Sequence, residues 1–295
     1  MRRIMLWVTA LCLLFGLASC DTGEPSAPPV ASSPAVQPAP GKHRLTLDHD
    51  GVTRRYRVHA PTGYDRATPV PLVIALHPYP GEGLGLSQMI GLDDKAEREN
   101  FLVAYPDGVN GGFNALVCCG SADDVGFLRA LTEHLVDAWG VDPDRVYLTG
   151  ISNGGDLSFR AAVEATGVFA AIGAVSGGYI GASAAKTDYV PRSPVSVITF
   201  IGGQDRYAER FRTGVAAWRE RLRCVPATPP PAPVAEAITL TRTRCADGSD
   251  VDVYVLDRMG HSWPGAKTGS IAAPEAGLVA TDLLWEFFAA HPRLS

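Results

Sequence analysis

The chain has 295 residues, of which 46% are hydrophobic and 19% charged, so it can bury a sizeable core and wholesale disorder is excluded. Lys and Arg total 26 against 31 Asp and Glu, a net charge of −5, and past the first few residues no segment is strongly basic, which argues against nucleic acid as a partner. The seven histidines form no HxH, HxxxH or HExxH cluster and there is no CxxC, so neither a metal nor another cofactor is called for.

In chain order, Arg2 and Arg3 precede an apolar run from Ile4 to Leu17, a charged n-region and a short h-region. The run is shorter than the roughly 20 apolar residues a membrane span needs. It closes on Leu17-Ala18-Ser19-Cys20, which resembles the lipobox of bacterial lipoproteins. That resemblance implies that residues 1–20 are a signal peptide, with Cys20 as the first mature residue, acylated and membrane-anchored. The expected location is extracytoplasmic, lipid-anchored to a bacterial membrane or, after ordinary signal cleavage, secreted. Residues 21–41 are Pro/Ala/Ser-rich, nearly uncharged and without apolar periodicity, as in a semi-extended tether. Residues 42–295 are left as the folded domain.

Residues 43–48 and 51–59 alternate apolar and polar around His49-Asp50-Gly51, a hairpin signal. Pro71–His77 is a continuous apolar run, as in a strand buried on both faces. A helix is expected at Ser87–Glu99, a strand at Phe101–Tyr105 and a helix at Asp123–Trp139. Strands follow at Arg145–Thr149, Ala170–Val175 and Val195–Ile201, with helices at Gly155–Ala165 and Glu209–Leu222. Val251–Leu256 reads as the last strand and Ala280–Ala290 as the closing helix. Such alternation predicts a mostly parallel α/β sheet covered on both faces, with an antiparallel N-terminal edge.

With Cys12 in the signal and Cys20 at the lipid site, four cysteines remain. Cys224 and Cys245 bracket a proline-rich excursion, and a bridge there would close a loop of about 20 residues, worth roughly 3 kcal/mol. Adjacent Cys118 and Cys119 could form a vicinal disulfide, stay free or pair elsewhere.

The chemistry is expected at strand ends. Gly150-Ile151-Ser152-Asn153-Gly154 is the one GxSxG, with the strand RVYLT running into it and a helix-compatible stretch running out, the pattern of a nucleophile elbow. Ser152 needs a base. His261, in MGHSWPG after the last predicted strand, is the histidine placed for it; His77 precedes the serine and reads as a loop brace. Asp205, just past VSVITFI, is the acid, with Asp188, Asp247, Asp250 and Asp252 as rivals. An oxyanion hole needs two backbone N–H donors: Asn153 follows the nucleophile, and Tyr79 is the donor left between Pro78 and Pro80, which have none. Trp263 and Tyr79 are candidate substrate walls. Only about 20 residues separate the strands at 170–175 and 195–201, little room for a lid, so an open site that admits a bulky or polymeric substrate is expected.

LHPYPGEG, FLVAYPDG, CCG…DDVGFLRAL, RVYLTGISNGG, GGQD, MGHSWPG and ATDLLWEFF together resemble the secreted polyhydroxybutyrate depolymerase and feruloyl esterase-like family of α/β-hydrolases, over about residues 45–290. The resemblance implies the α/β-hydrolase fold, ester hydrolysis without a cofactor, and a triad of Ser152, Asp205 and His261. The chain departs from the family at Pro78-Tyr79-Pro80, where a glycine-rich loop is usual, at Ile201, where a histidine is common, and at Phe113, where a tryptophan is common. No obligate protein partner is evident. The same triad would serve a serine peptidase or an acyltransferase, and a non-catalytic surface-binding lipoprotein is the reading of a different class.

Overall fold

The computed structural model describes residues 37–293. The signal segment, Cys12, Cys20 and most of the tether lie outside the described residues.

The chain enters through a hairpin, β1 (Gly41–His49) and β2 (Val52–Ala60), turned at Asp50 and Gly51 with φ of 51° and 71°. Positive φ at both central residues is what a tight two-residue hairpin requires, and Asp-Gly supplies it at low steric cost. β1 begins one residue before the expected domain start at Lys42. Then come β3 (Val70–Leu76), α1 (Gly83–Ile90), α2 (Leu92–Glu99), β4 (Leu102–Pro106), α3 (Asp124–Trp139), β5 (Val141–Ile151) and α4 (Asn153–Glu164). β6 (Ala171–Val175), β7 (Ser196–Gly202), α5 (Ala208–Arg221), β8 (Val225–Pro226), β9 (Ile238–Arg244) and β10 (Asp250–Leu256) follow. A short parallel pair, β11 (Trp263–Pro264) and β12 (Ala272–Ala273), precedes α6 (Ala280–Ala290).

Ten strands form one sheet in the order β1-β2-β4-β3-β5-β6-β7-β10-β9-β8. The six from β4 to β10 run parallel, and β2 joins them antiparallel, as expected for the N-terminal edge. The period of two along β3 sends Leu72, Ile74 and Leu76 into one core and Val73 and Ala75 into the other. The first core is closed by α3, α4 and α5, through residues such as Leu131, Phe159 and Trp218; the second is closed by α1, α2 and α6, through Leu86, Ala96 and Phe288. A strand sandwiched this way must be apolar on both faces, which is why it reads as an unbroken hydrophobic run.

Three expectations are corrected. The helix expected at 87–99 is two helices, because Gly91 adopts φ 66° and serves as the C-cap of α1 and the N-cap of α2. The C-terminal edge is also antiparallel: β9, inside what reads as a loop between Cys224 and Cys245, pairs with β10. Its outer neighbour is only the two-residue β8, so half of β9 is exposed and its Thr and Arg residues mask the strand signal. Finally, β10 is not the last strand, since β11 and β12 follow.

Candidate active site

β3, β5, β7 and β10 are parallel, so their carboxyl ends share one edge of the sheet, and each leads into a loop with a chemical residue. β3 and β5 flank the point where the strand order reverses, the usual position of a crevice in such sheets.

Ser152 sits between β5 and α4 with φ 57° and ψ −119°, a backbone conformation that non-glycine residues seldom adopt. The neighbouring glycines explain how the turn closes. A Cβ on Gly150 would lie 2.5 Å from the Gly154 carbonyl carbon, and one on Gly154 would lie 2.3 Å from the Leu76 carbonyl oxygen. The elbow is therefore packed backbone to backbone against β3. The Ser152 N–H donates to the Val175 carbonyl at 3.0 Å, which holds the turn on β6.

His261 lies in the loop after β10, and its Nδ1 is 2.6 Å from Asp205 Oδ2. The Asp205 side chain is fully buried, whereas that of His261 is 28% exposed. The other carboxylate oxygen accepts the Tyr207 N–H at 2.9 Å, so the acid is fixed at both oxygens. A carboxylate at Nδ1 makes that nitrogen the donor and leaves Nε2 to accept a proton. Ser152 and His261 line one cleft of about 320 Å³, together with Tyr79, Cys118, Cys119, Asn153, Arg206 and Tyr207. The Ser152 hydroxyl makes no hydrogen bond to His261 among the described residues; such contacts commonly tighten only when substrate is bound.

Asn153 is the first residue of α4, so its N–H has no carbonyl partner within the helix. Its buried side chain accepts the Phe113 N–H at 2.9 Å and donates to the carbonyls of Phe113 and Cys118 at 3.1 and 3.0 Å. Tyr79 stands on the loop after β3 with 52% of its surface exposed. His77 braces that loop: its buried Nδ1 donates to the Pro78 carbonyl at 2.8 Å, and Nε2 accepts the Gly108 N–H at 2.9 Å. Burial pushes the His77 imidazole below its ordinary pKa, which fits a neutral ring.

Trp263 does not line the cleft. It is 0% exposed, lies in the α1/α2/α6 core and donates its indole N–H to Thr281 at 3.1 Å. The same short strand that follows His261 turns it inward. Among the rival acids, Asp252 is buried and held by Arg242 across the β9–β10 pair at 2.7 Å, and Asp250 is bound to Arg244 at 2.7 Å. The structure joins Cys118 to Cys119 and Cys224 to Cys245, the former pair at the cleft.

Several cleft residues escape sequence reasoning. Ser176, after β6 at φ 45°, donates to the Ser262 carbonyl at 3.1 Å and accepts its N–H at 3.2 Å, tying down the loop that carries His261. Its only signal is a serine at a strand end. Asp156, one helical turn past Ser152, accepts the Gly178 N–H at 2.8 Å, and burial pushes its carboxyl up to about 7. Arg206, Tyr207 and Arg210 carry no motif at all.

Residues 55–193 match the family model described as esterase PHB depolymerase, a stretch that contains Ser152 and ends before Asp205 and His261. The chain is 30% identical to a putative esterase, NocK, of Nocardia uniformis subsp. tsuyamanensis, over 92% of each. It is 29% identical to feruloyl esterase B of Piromyces equi over 52% of this chain, a match that spans only 29% of that protein. Among solved structures, the acetyl xylan esterase from Aspergillus awamori aligns with a TM-score of 0.59 at 15% identity, over 84% of this chain and 99% of that one, a likeness of fold. The sheet order, the helices on both faces and this likeness are those of the α/β-hydrolase fold, and the chain belongs to the PHB depolymerase family of esterases, which are carboxylic ester hydrolases.

Proposed function

We propose that the protein is a serine esterase that works through an acyl-enzyme. The observation that carries this reading is the 2.6 Å contact between His261 Nδ1 and the buried Asp205 carboxylate at the rim of the cleft that Ser152 lines. Ser152 Oγ attacks the ester carbonyl while His261 Nε2 takes its proton. The tetrahedral oxyanion is held by the N–H groups of Asn153 and Tyr79; neither is engaged by a protein acceptor among the described residues. The C–O bond to the alcohol then breaks, and the alcohol leaves with the proton from His261. Water, deprotonated by the same imidazole, attacks the acyl-enzyme, and the Ser152–acyl bond breaks to release the carboxylic acid.

The substrate class is a bulky or polymeric ester, of the hydroxyalkanoate or the feruloyl/acetyl-polysaccharide kind. No helix lies between β6 and β7 among the described residues, and Tyr79 stands exposed at the mouth. The named relatives point the same way: feruloyl esterase B covers half of this chain. Acylation of Cys20 would anchor the enzyme to a bacterial membrane, with the Pro/Ala/Ser tether of residues 21–41 as its spacer.

A fluorophosphonate probe tests the chemistry. Labelling of the wild type, lost in Ser152→Ala together with at least about 10⁴-fold of the rate on an aryl ester, is the expected result. A protein that is never labelled is a binding lipoprotein instead. Faster cleavage of a matched amide, or acyl transfer to an added alcohol in preference to water, would redirect the reading to a peptidase or an acyltransferase.

A further inference from the structure

Two arginines of the cleft form no salt bridge among the described residues. Arg206 follows Asp205 directly, Arg210 lies in the first turn of α5, and both line the same cleft as Ser152 and His261. Their guanidinium carbons lie 4.7 and 6.0 Å from the centroid of the Tyr207 ring. That ring in turn meets the His261 imidazole edge-on at 6.0 Å. Tyr207 is thus a one-ring spacer between two cations and the imidazole.

Among the described residues neither arginine has a carboxylate within 4.0 Å. Arg54, Arg145, Arg160, Arg242, Arg244 and Arg293 pair with acids elsewhere; what sets Arg206 and Arg210 apart from the other arginines without such a pair is that they line the cleft. The acids of the cleft are committed or muted. Asp205 holds His261 and the Tyr207 N–H, while Asp156 accepts from Gly178 and burial raises its carboxyl to about 7 against the opposing charge of Arg210, with which it makes no ion pair. Helix stability does not explain the pair either, because a cation beside a helix N-terminus opposes the macrodipole. In a chain of net charge −5, this leaves two exposed guanidinium groups on the wall of the cleft that Ser152 also lines.

We propose that Arg206 and Arg210 read an anion, and that the preferred substrates are esters bearing a free carboxylate several bonds from the scissile carbonyl. The inference rests on the serine esterase reading of the site. A guanidinium fork takes a carboxylate through two N–H donors, and stacking on Tyr207 holds the fork in place before substrate arrives. The carboxylate belongs to either the acyl or the alcohol part, and two matched pairs of esters separate these sources.

For the acyl part, the 4-nitrophenyl monoester of glutaric acid is compared with that of its neutral monoamide. For the alcohol part, 4-acetoxybenzoate is compared with 4-acetoxybenzamide. The readout is the ratio of kcat/KM for the anionic over the neutral member, measured within each protein. We expect a ratio above about 10 in at least one pair for the wild type, falling toward one in Arg206→Gln/Arg210→Gln and in about 0.5 M NaCl. Arg212→Gln removes one charge from the same helix outside the cleft and keeps the ratio. Arg206→Lys/Arg210→Lys retains the charge without the fork and gives an intermediate ratio, a result that a folding defect would not produce. A wild-type ratio near one in both pairs, or an unchanged ratio in the Gln pair, overturns the anion wall while leaving an esterase that cleaves the neutral members. No turnover of any of the four esters, with no fluorophosphonate labelling, overturns the esterase reading and this proposal together.

Discussion

The side-chain amide of Asn153 donates to the Cys118 carbonyl at 3.0 Å, so the helix that starts at the elbow is tied directly to the loop with the adjacent cysteines. The same side chain exchanges two further hydrogen bonds with Phe113. One residue thereby has two duties: its backbone N–H is proposed for the oxyanion, and its side chain fixes one wall of the cleft. Asn153→Ala keeps the backbone donor but leaves the buried Phe113 N–H unpaired. We expect a loss of about 2–4 kcal/mol in denaturant unfolding, and a rise in KM larger than the fall in kcat. An unfolding midpoint equal to that of the wild type would remove the tie from the account.

The elbow glycines give a sharper test. Gly154→Ala places a methyl 2.3 Å from the Leu76 carbonyl oxygen, a backbone atom that cannot step aside without moving β3. Soluble expression should fall, or the folded protein should lose about 3 kcal/mol or more. Gly85→Ala, on α1 with nothing near the added methyl, should be neutral or slightly stabilising.

Two buried groups set opposite pH trends. Asp156 is raised from 3.8 to about 7 by burial, so its contribution to stability is fully present below about pH 4 and is lost as the pH rises toward and through 7. Asp156→Asn keeps an acceptor for the Gly178 N–H and removes the ionisation. It should raise stability relative to wild type at pH 8, on the order of a few kcal/mol, and by less at pH 5. His77 is lowered by burial, so its contribution is present above its unfolded value of 6.5 and is lost as the pH falls. Thermal melts of the wild type, Asp156→Asn and His77→Gln across this range separate the two; identical slopes in all three would contradict both assignments.

The bridge between Cys224 and Cys245 spans 21 residues and clips β8 and β9 to the end of α5. Replacing both cysteines with alanine should cost roughly 3 kcal/mol through the unfolded chain, with little change in kcat, because neither lines the cleft. A large loss of activity in the folded variant would mean that the C-terminal edge shapes the site.

Trp263 provides the test of a correction. Trp263→Phe deletes the donor to Thr281 inside a sealed core. Stability should drop by about 1–2 kcal/mol while the ranking of ester substrates stays the same. A changed ranking at unchanged stability would restore Trp263 to the substrate wall.

The sequence alone determined the alternation of strands and helices and the places where chemistry could sit. Buried parallel strands are apolar on both faces, and an elbow needs glycines where backbones touch; both are local demands written in consecutive residues such as Pro71–His77 and Gly150–Gly154. The order serine, acid, histidine is that of the α/β-hydrolases, and it pointed to His261 and to an acid between it and Ser152. Tertiary structure alone decided what surrounds those groups. Trp263 turns inward two residues past His261, Ser176 reaches Ser262 across 86 positions, and β9 finds β10 only because an edge was open. Arg206 and Arg210 face the cleft because α5 starts immediately after the acid's turn. Contacts of this kind depend on where distant segments are packed, and no periodicity or spacing within a segment encodes them.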